Sequence, residues 1–298
     1  MIYAVHFPCS RWRQALATGN RLLLVSSVCI FGVLALAAAD KPEDLLTQAQ
    51  AAQLKGELGE ALVLATKAIN AEKKNAQAYY VRGRLYAEDG EHAKAVADFD
   101  QALTLEPRGA EIYQLRGLEQ FKLGHFLQSC ADFDKFLEYL PKKAPYHWQR
   151  GIALYYAGRY EDGRKQFELH QTVNSNDVEN AVWHFLCVAR SAGLAKARAA
   201  LIPIQQDSRV PMMNIYALFA GKAKPDDVLK AAKAAAPPAE LNHQLFFAHL
   251  YTGLFYEASG NSKQARKYIT EAADDYRVND FMGEVARVHA DLFKRGGH

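Results

Sequence analysis

A chain of 298 residues with 36 Lys plus Arg against 33 Asp plus Glu has too small a charge excess to bind nucleic acid by bulk electrostatics. The excess is confined to residues 1–39, which hold Arg11, Arg13 and Arg21 and no acid, so the remainder is formally neutral. Half of the residues are hydrophobic, and Ala, Leu, Lys, Glu and Gln, the strong helix formers, are abundant, which points to an all-α protein.

Residues 22–39 form an apolar run that follows the three arginines and ends Ala37-Ala38-Ala39 before Asp40-Lys41-Pro42. A basic n-region, an apolar h-region and a small-residue cleavage site make an export signal, with cleavage expected after Ala39 and the mature chain periplasmic or secreted. The alternative is an uncleaved signal anchor in the inner membrane, since an apolar run of about 18 residues just reaches spanning length. Cys9 and Cys29 would leave with the signal, and Val28 before Cys29 makes it a poor lipid-attachment site. Cys130 and Cys187 are expected on different helices as buried free thiols, not as a disulfide.

From residue 42 a 34-residue frame runs without insertion to residue 280, with units beginning at 42, 76, 110, 144, 178, 212 and 246. The Arg-Gly step recurs at Arg82-Gly83, Arg116-Gly117 and Arg150-Gly151. Ala49, Gly83, Gly117, Gly151 and Gly253 share one position on the first helix of each unit, where the paired helix must come close. Gly56, Gly90, Gly124, Gly158 and Gly260 share the turn position, where glycine adopts a left-handed backbone without strain. On the second helix Ala61, Ala95, Ser129, Gly163 and Ala265 precede Ala65, Phe99, Phe133, Phe167 and Ile269 by four residues, one helical face. Pro107 and Pro141 stop the helices they follow. Self-similarity at this period resembles the tetratricopeptide repeat (TPR), a helix-turn-helix unit that stacks into an α-solenoid.

Residues 40–177 read as four regular units, residues 178–245 as two degenerate ones, and residues 246–298 as a last unit with a capping helix. In the degenerate pair Phe185 and Phe219 replace glycine, and Pro203, Pro211, Pro225, Pro237 and Pro238 break the helices into segments near 179–191, 195–202, 212–220 and 226–236. Either drift in a tolerant array or a change of curvature between front and rear modules accounts for this. Residues 280–295 form an amphipathic helix with Phe281, Val285, Val288 and Leu292 on one stripe, expected to cap the last repeat or to make a homodimer contact.

Ten histidines invite a search for catalysis or metal binding, but no His-Glu-x-x-His, Cys-x-x-Cys pair, Gly-x-Ser-x-Gly or phosphate-binding loop is present, so neither an enzyme nor a bound metal or cofactor is expected. His147 and His249 sit where a repeat carries a core aromatic. Arg82, Arg116 and Arg150 look like a ladder for an anionic ligand. Asp98 and Asp132, each 16 residues on, favour interhelical Arg–Asp pairs instead. The concave face, lined by first helices, is expected to carry Tyr80, Arg84, Gln114, Leu118, Phe121, Lys122, Trp148, Ile152, Tyr155 and Tyr156. Of these Tyr80, Arg84, Phe121, Trp148, Ile152, Tyr155 and Tyr156 are the candidate partner-binding residues, a tandem aromatic groove suited to a peptide.

More narrowly, Arg150-Gly151-Ile152-Ala153-Leu154-Tyr155-Tyr156-Ala157-Gly158-Arg159, the degenerate middle and Tyr251-Thr252-Gly253-Leu254-Phe255-Tyr256 resemble the NlpI family of bacterial envelope lipoproteins. That resemblance implies a non-catalytic homodimeric periplasmic adaptor whose partners are peptidoglycan hydrolases and a tail-specific protease. The missing lipid-attachment cysteine departs from the family pattern.

Overall fold

The computed structural model describes residues 41–234 and 238–296. The expected export signal lies outside the described residues. Among the described residues there are fifteen α-helices, one 3₁₀ turn and no strand. The helices are α1 (Pro42–Leu54), α2 (Leu58–Ala71), α3 (Ala76–Glu88), α4 (His92–Leu105), α5 (Ala110–Lys122) and α6 (Phe126–Tyr139), then, after the 3₁₀ turn Pro141–Tyr146, α7 (Trp148–Tyr156) and α8 (Tyr160–Gln171). The second half holds α9 (Val178–Ala192), α10 (Leu194–Ala199), α11 (Met212–Phe219), α12 (Pro225–Ala234), α13 (Pro238–Ala258), α14 (Ser262–Asp274) and α15 (Phe281–Lys294).

Consecutive helices pack in pairs, α1 with α2 through α13 with α14, and each pair in the front half rests on the next. The chain is therefore an α-solenoid of seven helix-turn-helix units with a terminal helix. The glycine pattern has a direct packing cause. A Cβ on Gly117 would lie 2.7 Å from the Phe133 ring, and one on Gly151 would lie 2.6 Å from the Phe167 ring. Phe99, Phe133 and Phe167 of the second helices thus press the rim of the ring against the bare backbone of the partner helix and are buried, and burying such a side chain is worth about 1.5–3 kcal/mol. At the turn, Gly158 has φ +74°, and the equivalent glycines of four other units share this left-handed geometry.

The arginine steps are interhelical ties. Arg82 donates from Nε and Nη2 to the two oxygens of Asp98 at 2.7 and 2.8 Å, and Arg116 does the same to Asp132 at 2.9 and 2.5 Å. Arg116 also reaches Asp100 at 2.6 Å, tying its own pair to the pair before. In the next unit Gln166 replaces the aspartate, and Arg150 splits its bonds between Asp134 at 2.7 Å and Gln166 at 3.0 Å. A planar fork matched to a carboxylate explains why Arg and Asp recur together at a spacing of 16.

His147 occupies the aromatic core position, 4.7 Å from the Phe133 ring and 5.3 Å from that of Phe136. Its Nδ1 accepts from the Arg150 N–H and caps α7, so the proton is on Nε2, which donates to Gln114 Oε1 at 2.6 Å. Burial holds this imidazole down at about 4. Cys130 and Cys187 are buried free thiols, and burial raises both, Cys130 to about 11.

Two features depart from the sequence reading. α13 begins at Pro238 and not at the frame position 246, because no Gly or Pro interrupts the run from Glu240 to Gln244. The terminal helix does more than cap. α15 packs on α14 and also reaches back to α5 of the third unit. Val285 and Val288 are buried and Phe281 and Leu292 half-buried, so the stripe read as a cap or dimer face is covered within the chain.

Candidate partner-binding cleft

The aromatic stripe read from the sequence is real, but most of it is interior. Phe121, Ile152 and Tyr155 are buried, which corrects their assignment to an open groove. The physical reason is that α15 and α9 lie over them. Phe281 of α15 sits 5.1 Å from the Phe121 ring and 5.3 Å from Trp148, edge to face in the latter case. Trp183 of α9 meets Tyr155 at 5.4 Å and Tyr156 at 6.2 Å. Tyr156 is half-buried and stacks on Phe126 at 5.1 Å. Only Tyr80 and Arg84, on α3, lie beyond this cover. Arg84 is exposed, its guanidinium 5.8 Å from the half-buried Tyr80 ring.

What the cover leaves open is a cleft of about 430 Å³ where the fourth unit, the start of α9, α13 and the start of α15 converge. Trp148 and Ile152 line it, the two members of the sequence set that it brings together. Its floor is Ile152, Phe167, Asn180 and Trp183, all buried, and its rim includes Asn174, Arg209, His243 and Asp280, all exposed. Phe247 and Phe281 complete the aromatic wall.

A charged cluster stands on one side. Arg209, in the segment between α10 and α11, donates to Glu179 Oε1 at 2.6 Å, Asp177 Oδ1 at 2.8 Å and Asp207 Oδ2 at 2.6 Å. Asp207 accepts from the Val178 N–H at 3.2 Å, which pins the arginine's segment to the start of α9. Asp177 caps α9 through the Glu179 N–H at 3.0 Å, and its other oxygen lies 3.8 Å from Nε2 of His170, whose pKa is raised chiefly by that contact. Glu179 also accepts from the Tyr251 hydroxyl at 2.6 Å. Burial outweighs these donors and lifts the Glu179 carboxyl to about 7.

Arg209, Asp177, Glu179, Trp183, Phe247 and Phe281 were not singled out from the sequence as site residues. Asp177-Val178-Glu179 carries an N-cap signature, but that reads as a helix start and nothing more. Among the described residues no group of three or more His, Cys, Asp or Glu side chains is placed to hold a metal ion, and no helix is long and apolar enough to cross a membrane.

A tetratricopeptide repeat family profile matches residues 76–108, the second unit of the array. No curated protein matches the chain. Among solved structures, the chain is similar to the MamA protein at 14% identity and TM-score 0.50, over 66% of this chain and 97% of that one. It is similar to MamA 41-end from Desulfovibrio magneticus RS-1 at 19% identity and TM-score 0.49, over 54% and 90%. A tetratricopeptide repeat protein from Parabacteroides merdae ATCC 43184 matches at 21% identity and TM-score 0.48, over 85% and 84%. These likenesses concern the fold, and none points to an enzyme family. The chain thus carries a tetratricopeptide repeat within a TPR-like α-solenoid, an architecture suited to protein–protein interaction.

Proposed function

We propose that this protein is an exported, non-catalytic TPR adaptor that holds a segment of a partner protein in the cleft around Trp148, Trp183, Phe247 and Phe281. The cleft carries the reading: an aromatic floor with a polar rim is what a peptide anchor needs, because such rings give large contact area at low conformational cost. The apolar run 22–39 and its Ala37-Ala38-Ala39 end support the reading that the adaptor is exported, to the periplasm or beyond. The likeness around Arg150–Arg159 to the NlpI family extends the proposal to peptidoglycan hydrolases and a tail-specific protease as partners.

A photo-crosslinking amino acid placed at Asn174 or His243 on the rim, and at Leu127 as an exposed control away from the cleft, tests the surface in living cells. The expected result is a discrete set of adducts from the rim positions that is absent from the control. Equal adducts from all three positions would remove the cleft from the proposal. Intact mass of the purified native protein tests export: a product starting near Asp40 supports it, and a chain retaining residues 22–39 makes the protein membrane-anchored.

A further inference from the structure

The cleft is selective in its chemistry. Of the ionisable side chains lining it, Asp177, Glu179 and Asp280 are carboxylates, Arg209 is a guanidinium and His170 and His243 are imidazoles, so carboxylates outnumber permanent cations. On the floor, the Asn180 amide donates from Nδ2 to the Phe167 carbonyl and to Gln171 Oε1, both at 3.1 Å, which fixes its orientation. Its Oδ1 is buried and accepts no hydrogen bond from the described residues. A buried acceptor without a donor costs about 1–3 kcal/mol, which a bound group could recover by donating to it. Trp148, Trp183, Phe247 and Phe281 line the same cleft, and the face of an aromatic ring attracts a cation.

The chain also shows what its acids recognise. The cluster of Asp177, Glu179 and Asp207 binds a guanidinium, that of Arg209, from a side chain that is itself 46% exposed. Burial raises the Glu179 carboxyl even with that arginine in place, and a cation beside it would favour its charged form.

We infer that the cleft is a pocket for the basic side chain, lysine or arginine, of an extended partner segment, with the aliphatic stem on the aromatic wall and the charged head among the Asp177, Glu179 and Asp280 carboxylates and the Asn180 Oδ1. This rests on the adaptor reading above and specifies what it selects.

The test uses capped Gly-Gly-X-Gly-Gly peptides with X as arginine, lysine, norleucine or glutamate, titrated into the full-length protein while tryptophan emission is followed. Arginine and lysine peptides are expected to bind at least tenfold tighter than norleucine, and glutamate not at all. Glu179→Gln keeps an acceptor for Tyr251 and removes the charge. Asp280→Ser removes a charge while keeping a cap for α15, whose Gly283 N–H Asp280 now holds at 2.9 Å. Each variant is expected to lose tenfold or more for the basic peptides, with the norleucine peptide unchanged and the thermal melt retained. Should Glu179→Gln not fold, Asp280→Ser carries the test alone. Equal binding of norleucine and arginine, or unchanged arginine affinity in a folded variant, overturns the inference. Partner adducts at Asn174 and His243 without any basic preference would leave the adaptor standing and this specificity refuted. Absence of both would remove the two together.

Discussion

The Tyr156 hydroxyl is hydrogen-bonded to Nδ1 of His289 at 2.9 Å, joining the fourth unit to the terminal helix across 133 residues of sequence. His289 is fully buried, its ring 5.6 Å from Tyr156 and its Nε2 3.4 Å from Glu257 Oε2 on α13. The contact therefore runs from α7 through α15 to α13, and it fixes α15 over the aromatic stripe whose rim forms the cleft. Tyr156→Phe removes this bond from a buried imidazole nitrogen and is expected to cost about 1–3 kcal/mol. His289→Phe alone should cost a similar amount, and the double variant less than the sum, since the two groups are coupled. Urea unfolding of the four proteins measures the cycle. Strict additivity would mean that the bond does not tie the terminal helix down.

The close approach of paired helices gives a second prediction. Gly117→Ala brings a methyl to 2.7 Å from the Phe133 ring and 3.2 Å from Asp132 Cβ, so the pair must part or the ring must turn. The expected loss is about 1–3 kcal/mol, the usual cost of overpacking. Phe133→Leu alone destabilises by leaving space, but combined with Gly117→Ala it should recover part of the loss, because the methyl then fills what the ring vacated. Thermal melts of the three variants decide this. Losses that simply add would place the strain elsewhere.

These two cases mark what the sequence could and could not say. Gly117 and Phe133 stand 16 residues apart in adjoining helices, and their register repeats at 34, so pairing, turn and close approach are all written locally. The Arg116–Asp132 tie is legible for the same reason. The partner of Tyr156 is not. Helical spacing shows that α15 has one apolar face and that α7 has an aromatic one, but nothing in either pattern says which surface covers which. That is why Phe121, Ile152 and Tyr155 read as a groove and are in fact interior. Arg209 was silent for a different reason: it lies between Pro203 and Pro211, outside any helical period, and reaches its acids by tertiary folding alone.

The interhelical arginine ties should behave unlike the surface pairs. Asp132 is nearly buried against Arg116, whereas Arg164 meets Glu161 and Glu168 on an exposed face of α8. Asp132→Asn keeps the shape but removes the charge-assisted bonds, with an expected loss of about 1.5–3 kcal/mol that changes little with salt. Glu161→Gln is expected to cost far less than the Asp132 variant and to lose even that at high ionic strength. Denaturant midpoints at low and high salt separate the two. A salt-sensitive Asp132 variant would show that the tie is solvated.

Two buried groups should give the protein opposing acid responses. His147 is held at about 4 by burial, below the 6.5 of a free imidazole, so the unfolded chain binds the proton more tightly. Its contribution is complete above pH 6.5 and is lost as pH falls towards 4, worth about 3 kcal/mol in full. Glu179 runs the other way. Its carboxyl is raised from 4.5 to about 7, so its contribution is complete below 4.5 and is lost as pH rises through 7. Between 4.5 and 6.5 the two partly cancel, and wild-type stability should change little there from this source. His147→Phe keeps the packing on Phe133 and Phe136 but drops the bond to Gln114, so it should be less stable than wild type at pH 7 and close on it as pH falls from 6.5 to 4. Glu179→Gln should gain on wild type as pH rises from 4.5 to 7. Urea unfolding at half-unit pH steps gives both difference curves, and slopes of the same sign would contradict the assignment of either group.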